Sequence, residues 1–397
     1  MENEIELEIE LFSNKLLDKI ENQKIHLVSH FDTDGITSAS IMTKTLERLG
    51  LEFSTKILKQ LGDDEILSFP EEKLIILLDL GSSSLKHLSK IKNQIIIIDH
   101  HEINEKVPEN ITIFNPHLLK EYHELCTAEL TYLISKQISE DNKDLAHLAI
   151  LGIVGDSMEK QINKIRDQII KDAEVKIKKG LLIYPSTRPL DKALEYSSRP
   201  FIPGVTGDPK GTYDLLSEAG IEKLGKKYKT LIDLSEQEMK SLATAIMLRL
   251  SSKEASKYIG NLYLIKFFNK IEDARELSAM INACSRMDQP QIALLLCLGN
   301  SFARKKAERV YVKYRQHIIS GLKYINQNSP ILGDKYVIIN AKDNIKDTII
   351  GTLASILSFS SVYKEGTVIV AMAYNEDKIK ISTRMVGRDN RTRNLKK

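Results

Sequence analysis

The sequence predicts an α/β protein: an N-terminal doubly wound, mostly parallel sheet, then a smaller C-terminal α/β domain, with a cleft between them. Two observations lead there. The runs Ile25-His26-Leu27-Val28-Ser29, Leu74-Ile75-Ile76-Leu77-Leu78 and Ile95-Ile96-Ile97-Ile98 are short, apolar and bounded by polar residues. They are too brief for core helices and fit buried parallel strands. Acids and histidines then follow these runs: His30-Phe31-Asp32-Thr33-Asp34-Gly35, Asp79, and Asp99-His100-His101, with Asp156 further on. In open α/β sheets the ligand crevice lies beyond the carboxyl ends of the strands, so these side chains are expected to converge there.

Taken in order, residues 5–20 alternate apolar and charged positions at helical spacing and predict a helix before the first strand. Strands are expected near 24–29, 52–58, 74–79, 95–98 and 111–114, with helical stretches such as Ser38–Leu49 and Leu85–Lys90 between them. Asn115-Pro116 closes the last strand, and helices follow at 127–139 and 142–155, the second carrying Asp156 at its end. The charged stretch Lys160–Lys179 reads as a helical spacer. Residues 181–235 contain Pro185, Pro189, Pro200, Pro203 and Pro209 and read as an irregular insertion capped by helices. Arg188 and Arg199 there could meet a phosphate chain, although surface arginines are common. After a helix near 236–250, a second α/β unit is expected: strand Tyr258–Phe267, helices Ile271–Cys284, Pro290–Leu298 and Phe302–Asn326, and strands Tyr336–Ile339, Thr367–Tyr374 and Lys378–Thr383. The expected domains are 1–180, 181–255 and 256–397.

Composition narrows the class. With 397 residues, 42% hydrophobic and 28% charged, the chain can build two or three domains with ample core. No apolar run approaches a membrane span, and the acidic start Met1-Glu2-Asn3-Glu4-Ile5-Glu6 lacks a secretory pattern, so a cytoplasmic protein without membrane contact is expected. Cys126, Cys284 and Cys297 have no metal-like spacing and predict buried thiols. A net charge of +3 argues little by itself, but the ends differ. The first ten residues hold five glutamates, and Arg384 to Lys397 hold six basic residues and one Asp. A polyanion could be held at the basic end, and a solvated tail is the bland alternative.

Carboxylates and imidazoles without thiolates suit hard or borderline divalent ions such as Mn²⁺ and Mg²⁺, and they outnumber what one ion needs. A pair of ions roughly 3.5–4 Å apart can hold an attacking water, bind a phosphoryl oxygen and neutralise charge on phosphorus, which is phosphoester or phosphoanhydride hydrolysis. Asp32 and Asp34 at positions i and i+2, with Gly35 permitting a tight turn, place two ligands side by side. Each piece also has an ordinary explanation. Asp-x-Asp-Gly occurs as a turn or helix cap, Asp79-Leu80-Gly81 as a strand end before a capped helix, and Asp156 as a helix-end acid. Asp99-His100-His101 directly after four isoleucines is harder to explain structurally, because unpartnered buried charge is costly.

The order His-x-Asp-x-Asp-Gly, lone Asp, Asp-His-His, then Gly-Asp resembles the DHH phosphoesterase superfamily in its RecJ-like nuclease branch, over about the first 160 residues. The resemblance implies that His30, Asp32, Asp34, Asp79, His100 and Asp156 ligate two Mn²⁺ or Mg²⁺ ions, with Asp79 bridging. Asp99 would orient a ligating imidazole and His101 would face phosphate. Bacterial members usually open the first motif with Asp; His30 is similar to archaeal RecJ-like proteins and family II pyrophosphatases. The C-terminal part resembles the DHHA1-type substrate domain. There Ser382-Thr383-Arg384 occupies the place of a phosphate-gripping serine and arginine, and Arg286 is a further candidate for a bidentate phosphate contact. The Gly-Gly-x-His segment with which members normally continue does not occur between Gly387 and Lys397, so the chain is either cut short or binds substrate without that cradle.

The expected function is thus a metal-dependent exonuclease on single-stranded DNA, or RNA, in replication or repair. The resemblance extends to nucleases that associate with the GINS complex of the replicative helicase, which makes GINS or another replisome protein an expected partner. One alternative is hydrolysis of short oligonucleotides, cyclic dinucleotides or pyrophosphate. Another is a non-catalytic replisome scaffold, as in helicase-associated relatives that have lost ligands. The chain has no Trp, and its Tyr and Phe show no recognisable stacking platform, so phosphate contacts are expected to dominate binding.

Overall fold

The computed structural model describes residues 2–120, 124–197, 200–250, 258–359, 362–376 and 378–387. Arg199 and the basic tail beyond Gly387 lie outside the described residues. The chain divides into two compact units, Met1–Lys176 with Leu264–Arg309, and Ile177–Tyr263 with Val310–Lys397.

In the first unit, helix α1 (Glu2–Ile20) precedes β1 (Ile25–His30), α2 (Thr33–Arg48), β2 (Phe53–Leu58), α3 (Asp63–Leu67), β3 (Leu74–Leu78), α4 (Leu85–Leu88), β4 (Ile95–Ile98) and β5 (Ile111–Phe114). The strands form one wholly parallel sheet in the order β2-β1-β3-β4-β5, the doubly wound topology expected. Because side chains alternate along a strand, Leu74, Ile76 and Leu78 enter the core beneath α1, whereas Ile75 and Leu77 enter the opposite core with Ile66, Leu85 and Leu88. Burial on both faces is why these runs are continuously apolar.

Helices α5 (Thr127–Ile138) and α6 (Ala146–Gly155) follow, close to their expected ranges. The stretch 160–179 is no spacer. It holds α7 (Lys164–Asp172) and β6 (Lys176–Leu181), and α7 buries Arg166, Ile169 and Ile170. The charge run misled because its charges have partners: Arg166 donates to Glu129 from Nε at 2.9 Å and Nη2 at 2.7 Å.

The two units divide the chain elsewhere than at 180 and 255. The helices Ala274–Arg286 and Pro290–Cys297 belong to the first unit. Thr33 at the start of α2 donates to the Ser278 carbonyl at 3.0 Å, and Arg275 pairs with Glu159 at 3.0 Å. Residues 271–273, expected to be helical, instead complete strand β10 (Lys270–Asp273), which pairs antiparallel with the end of β9 (Ile259–Phe267).

In the second unit, α8 (Leu190–Glu195), α9 (Pro209–Glu218), the short antiparallel pair β7 (Lys223–Leu224) and β8 (Lys227–Tyr228), and α10 (Glu236–Arg249) follow in order, and the three helices share an apolar core that includes Leu190, Leu194, Leu215, Leu216, Leu242 and Ile246. The stretch expected to be irregular is therefore a folded helical body. Two of its prolines sit at helix starts, Pro189 just before α8 and Pro209 as the first residue of α9, where a missing N–H is harmless. A second sheet, ordered β11-β12-β13-β14, comprises Ile331–Leu332, Tyr336–Asn340, Val368–Asn375 and Lys378–Met385. The helix Asp347–Phe359, absent from the sequence expectation, covers one face of it. No helix among the described residues is long and apolar enough to cross a membrane.

Candidate metal centre

Every N-terminal acid and histidine singled out above lies at or just beyond the carboxyl end of β1, β3 or β4, or at the end of α6. His30 is the last residue of β1, and Asp32 is the N-cap of α2. Asp32 is both cap and site residue: Oδ1 accepts from the Gly35 amide at 3.0 Å while Oδ2 lies 3.0 Å from His30 Nδ1. Gly35 is required by close approach rather than by an unusual φ, since a Cβ there would sit 2.3 Å from the His30 carbonyl oxygen.

Asp34, fully buried, accepts from the amides of Thr127 and Ala128, each at 2.8 Å, and so is held by the N-terminus of α5. Gly152 of α6 lies so near that a Cβ would stand 2.8 Å from Asp34 Oδ1 and 2.4 Å from Ala128 Cβ, which accounts for an apolar helix carrying glycine. Asp79, buried after β3, adopts φ +58°, a left-handed conformation that Asp tolerates better than most residues and that is often found at functional sites. Its Oδ2 lies 3.3 Å from His30 Nδ1, its Oδ1 lies 3.5 Å from His100 Nε2, and Thr127 Oγ1 donates to Oδ1 at 3.1 Å. His100 Nε2 is also 3.4 Å from Asp156 Oδ2 and 3.9 Å from Asp34 Oδ2.

Three sets of ligand atoms each fall within 4.8 Å of one another: His30, Asp32 and Asp79; Asp34, His100 and Asp156; and Asp79, His100 and His101. Asp79 lies between the first two, with one oxygen toward each. Carboxylates and imidazoles at such separations fit hard or borderline divalent cations.

Asp99 points into the protein rather than toward the cluster. It accepts from the amides of Ser82 at 3.0 Å and His100 at 2.8 Å, and contacts His101 Nδ1 at 2.7 Å. Asn115 donates to Ser82 Oγ and to the His101 carbonyl, both at 2.9 Å, and thereby braces the same turn. His101, over half exposed, thus has one ring nitrogen fixed on Asp99.

The electrostatics describe a site short of positive charge. Burial, then repulsion from Asp32, Asp34, Asp99 and Asp156, pushes the Asp79 carboxyl well above its ordinary range. Burial, then Asp34 and Asp32, pushes Asp156 up to about 9. Asp34 is raised by burial although His100 opposes it. Burial also disfavours ionised Asp32, but the hydrogen bond and charge of His30 with the Gly35 amide hold it at about 2. The Asp99 hydrogen bond raises His101. A cation is the natural relief for such crowding.

Sequence reasoning missed the support behind these side chains. Glu129 closes a capping box at the start of α5 by accepting from the Cys126 amide, and the buried Arg166 grips both its oxygens. Cys126-Thr127-Ala128-Glu129 lacks the Ser or Thr of the usual capping-box signature, and the arginine, 37 residues away, leaves no local signal. The three cysteines are buried as expected, and burial pushes the thiols of Cys284 and Cys297 up to about 12.

The substrate candidates are not all in one unit. Arg286 ends its helix in the first unit, not in the C-terminal domain where the sequence had put it. Ser382 and Arg384 lie on β14 of the second unit. Ser382 is buried near Gly351, and Arg384 is exposed, donating from Nε to Ser355 Oγ at 2.9 Å.

Residues 24–153 match the family model described as the DHH family, N-terminal domain, and residues 183–262 match the DHH-CID domain. An uncharacterized protein of Methanocaldococcus jannaschii is 28% identical over 366 residues, 88% of this chain and 80% of its own length. YorK of Bacillus subtilis, whose name proposes a prophage-derived single-strand DNA-specific exonuclease, is 29% identical over 182 residues, 42% of this chain and 30% of its own. Among solved structures, RecJ of Thermus thermophilus in complex with Mn²⁺ is similar with a TM-score of 0.55 and 16% identity, over 92% of this chain and 45% of that one. CDC45 of Entamoeba histolytica is similar with a TM-score of 0.70 and 14% identity, over 95% and 88%. The chain therefore spans less than half of that RecJ and under a third of YorK.

Proposed function

Because this chain is a RecJ-like member of the DHH superfamily, we propose that it is a two-metal phosphodiesterase, an exonuclease on single-stranded DNA or RNA that acts in the cytoplasm in replication or repair. The observation that carries this is the convergence of His30, Asp32 and Asp79 on one side and Asp34, His100 and Asp156 on the other, with Asp79 offering an oxygen to each. His30, Asp32 and Asp79 would hold one Mn²⁺ or Mg²⁺, and Asp34, His100, Asp156 and Asp79 the other. Divalent cations so held supply charge neutralisation at phosphorus and a more acidic water.

The chain's own groups supply orientation and protons. Asp99 fixes Nδ1 of His101, which leaves Nε2 to face a phosphoryl or leaving oxygen, and the Asp99 hydrogen bond raises the proton affinity of His101 in the direction a donor needs. Thr127 Oγ1 and the first amides of α5 fix the rotamers of Asp79 and Asp34. Ser382, Arg384 and Arg286 are proposed to meet substrate phosphate.

Single strands of DNA and RNA, labelled at the 5′ or the 3′ end and incubated with Mn²⁺, test this. Stepwise mononucleotide release from one end, lost in Asp79→Ala, is the expected result; unchanged turnover in that variant rejects the mechanism. Digestion confined to oligomers of a few residues would transfer the reading to a small-substrate phosphodiesterase.

The likeness to CDC45 over nearly the whole chain favours a second reading, a replisome scaffold for which GINS is the partner to test. Wild-type protein that binds Mn²⁺ by calorimetry yet cleaves none of these strands would support it.

A further inference from the structure

The helix Ser301–Gln327 begins in the first unit with a face that the nuclease reading leaves unused. Phe302 is 79% exposed, the highest value among the exposed large hydrophobics of the described residues. Lys305, Lys306 and Arg309 are exposed as well, and their spacing of three, four and seven residues from Phe302 puts all four on one side of the helix. The opposite side, Ala303, Ala307 and Val310, is buried and fixes the helix. Asn300 Oδ1 caps the first turn by accepting from the Ala303 amide at 2.9 Å.

The neighbouring Arg304 shows what a structural cation looks like here: it is partly buried, paired with Glu272 and Glu308, and stacked at 5.0 Å on Phe268. Lys305, Lys306 and Arg309 form no ion pair with any described residue. An exposed aromatic ring loses free energy to water, and three like charges within two turns repel one another. Both costs vanish against a ligand that presents a flat ring beside a row of negative charges. At 1.5 Å per residue the cations stand about 4.5, 6 and 10.5 Å along the axis from Phe302, the spacing scale of base and backbone in a nucleic-acid strand. A membrane surface fits less well, because one ring is too small an apolar face to anchor a helix.

We propose that Phe302, Lys305, Lys306 and Arg309 form a contact for single-stranded nucleic acid, with one base stacked on Phe302 and adjacent phosphates on the three cations. This rests on the nucleic-acid substrate in the function proposed above. It also supplies the stacking platform that the scattered aromatics of the sequence did not reveal.

The test is binding of fluorescent oligothymidylate, and of an abasic deoxyribose-phosphate oligomer of equal length, to the full chain in EDTA, where hydrolysis plays no part. Phe302→Ala should weaken oligothymidylate binding about tenfold, leave the abasic oligomer unaffected, and leave the thermal midpoint unchanged; Phe302→Trp should restore affinity. The triple variant Lys305→Gln, Lys306→Gln, Arg309→Gln should weaken both ligands and lower the slope of log affinity against log salt by about 2. Wild-type affinity in Phe302→Ala, equal losses on both ligands, or an unchanged salt slope in the triple variant would overturn the proposal. Intact end-directed hydrolysis with Phe302-independent binding rejects this contact alone. Phe302-dependent binding without any hydrolysis rejects the nuclease and keeps the contact.

Discussion

Asp79 concentrates the chemistry of the site in one residue. It is buried, left-handed in φ, and within 3.3 to 3.7 Å of His30, His100 and His101. Asp79→Asn should keep the backbone conformation, which Asn also tolerates, and still remove the carboxylate charge that lies between the two groups proposed to hold metal; calorimetry should then show weaker Mn²⁺ binding. His101 should behave differently. Because its Nδ1 is fixed on Asp99 and its ring is over half exposed, His101→Gln is expected to lower the chemical rate by about 10²–10³ while Mn²⁺ affinity is retained. A parallel loss of metal affinity would instead make His101 a ligand. Gly35→Ala forces a methyl against the His30 carbonyl and should cost about 1–3 kcal/mol of stability, read as a lower denaturation midpoint. The carboxylates and histidines were legible from their positions after apolar runs. That Asp32 caps α2 as well as facing His30 was not, because the two oxygens of one side chain take different partners.

At the scale of elements, the start of α5 decides whether the ligands stand in place. Its free amides hold Asp34, its Thr127 hydroxyl holds Asp79, and its Glu129 carboxylate is in turn held by Arg166 from α7. Both members of that pair are nearly inaccessible to solvent. Removing one therefore leaves a buried charge without its partner: Arg166→Ala should destabilise the protein by about 3–5 kcal/mol, and chemical denaturation would reveal a smaller effect if α7 were only a spacer. The apolar runs located the sheet correctly, since β3 and β4, buried on both faces, are apolar at every position. The same logic failed at 160–179 and 181–235. A charge run does not disclose whether its charges are solvated or paired, and a proline does not disclose whether it opens a helix or breaks one.

For the molecule as a whole, stability should depend on cation and pH together. Asp34, Asp79 and Asp156 have folded-state proton affinities raised above the unfolded value, Asp156 to about 9. A group raised in this way stabilises fully below its unfolded value and loses that contribution as pH rises through the folded one. Chelated protein should accordingly weaken as pH climbs from the ordinary carboxylate range toward about 9, while Mn²⁺ should raise the melting temperature more at the upper end, with protons released on binding. A melting temperature indifferent to Mn²⁺ across that range would count against the metal centre. By itself the sequence determined the parallel α/β sheet and which acids and histidines end its strands, because strand burial and side-chain chemistry are local properties written in consecutive residues. Only the tertiary structure decided that Asp79 stands between two sets of candidate ligands, that Arg166 holds Glu129 at the start of the helix that positions them, and that Ala274–Cys297 packs with the first unit. Those are contacts between segments tens to hundreds of residues apart, fixed by how faces pack and invisible to any periodicity.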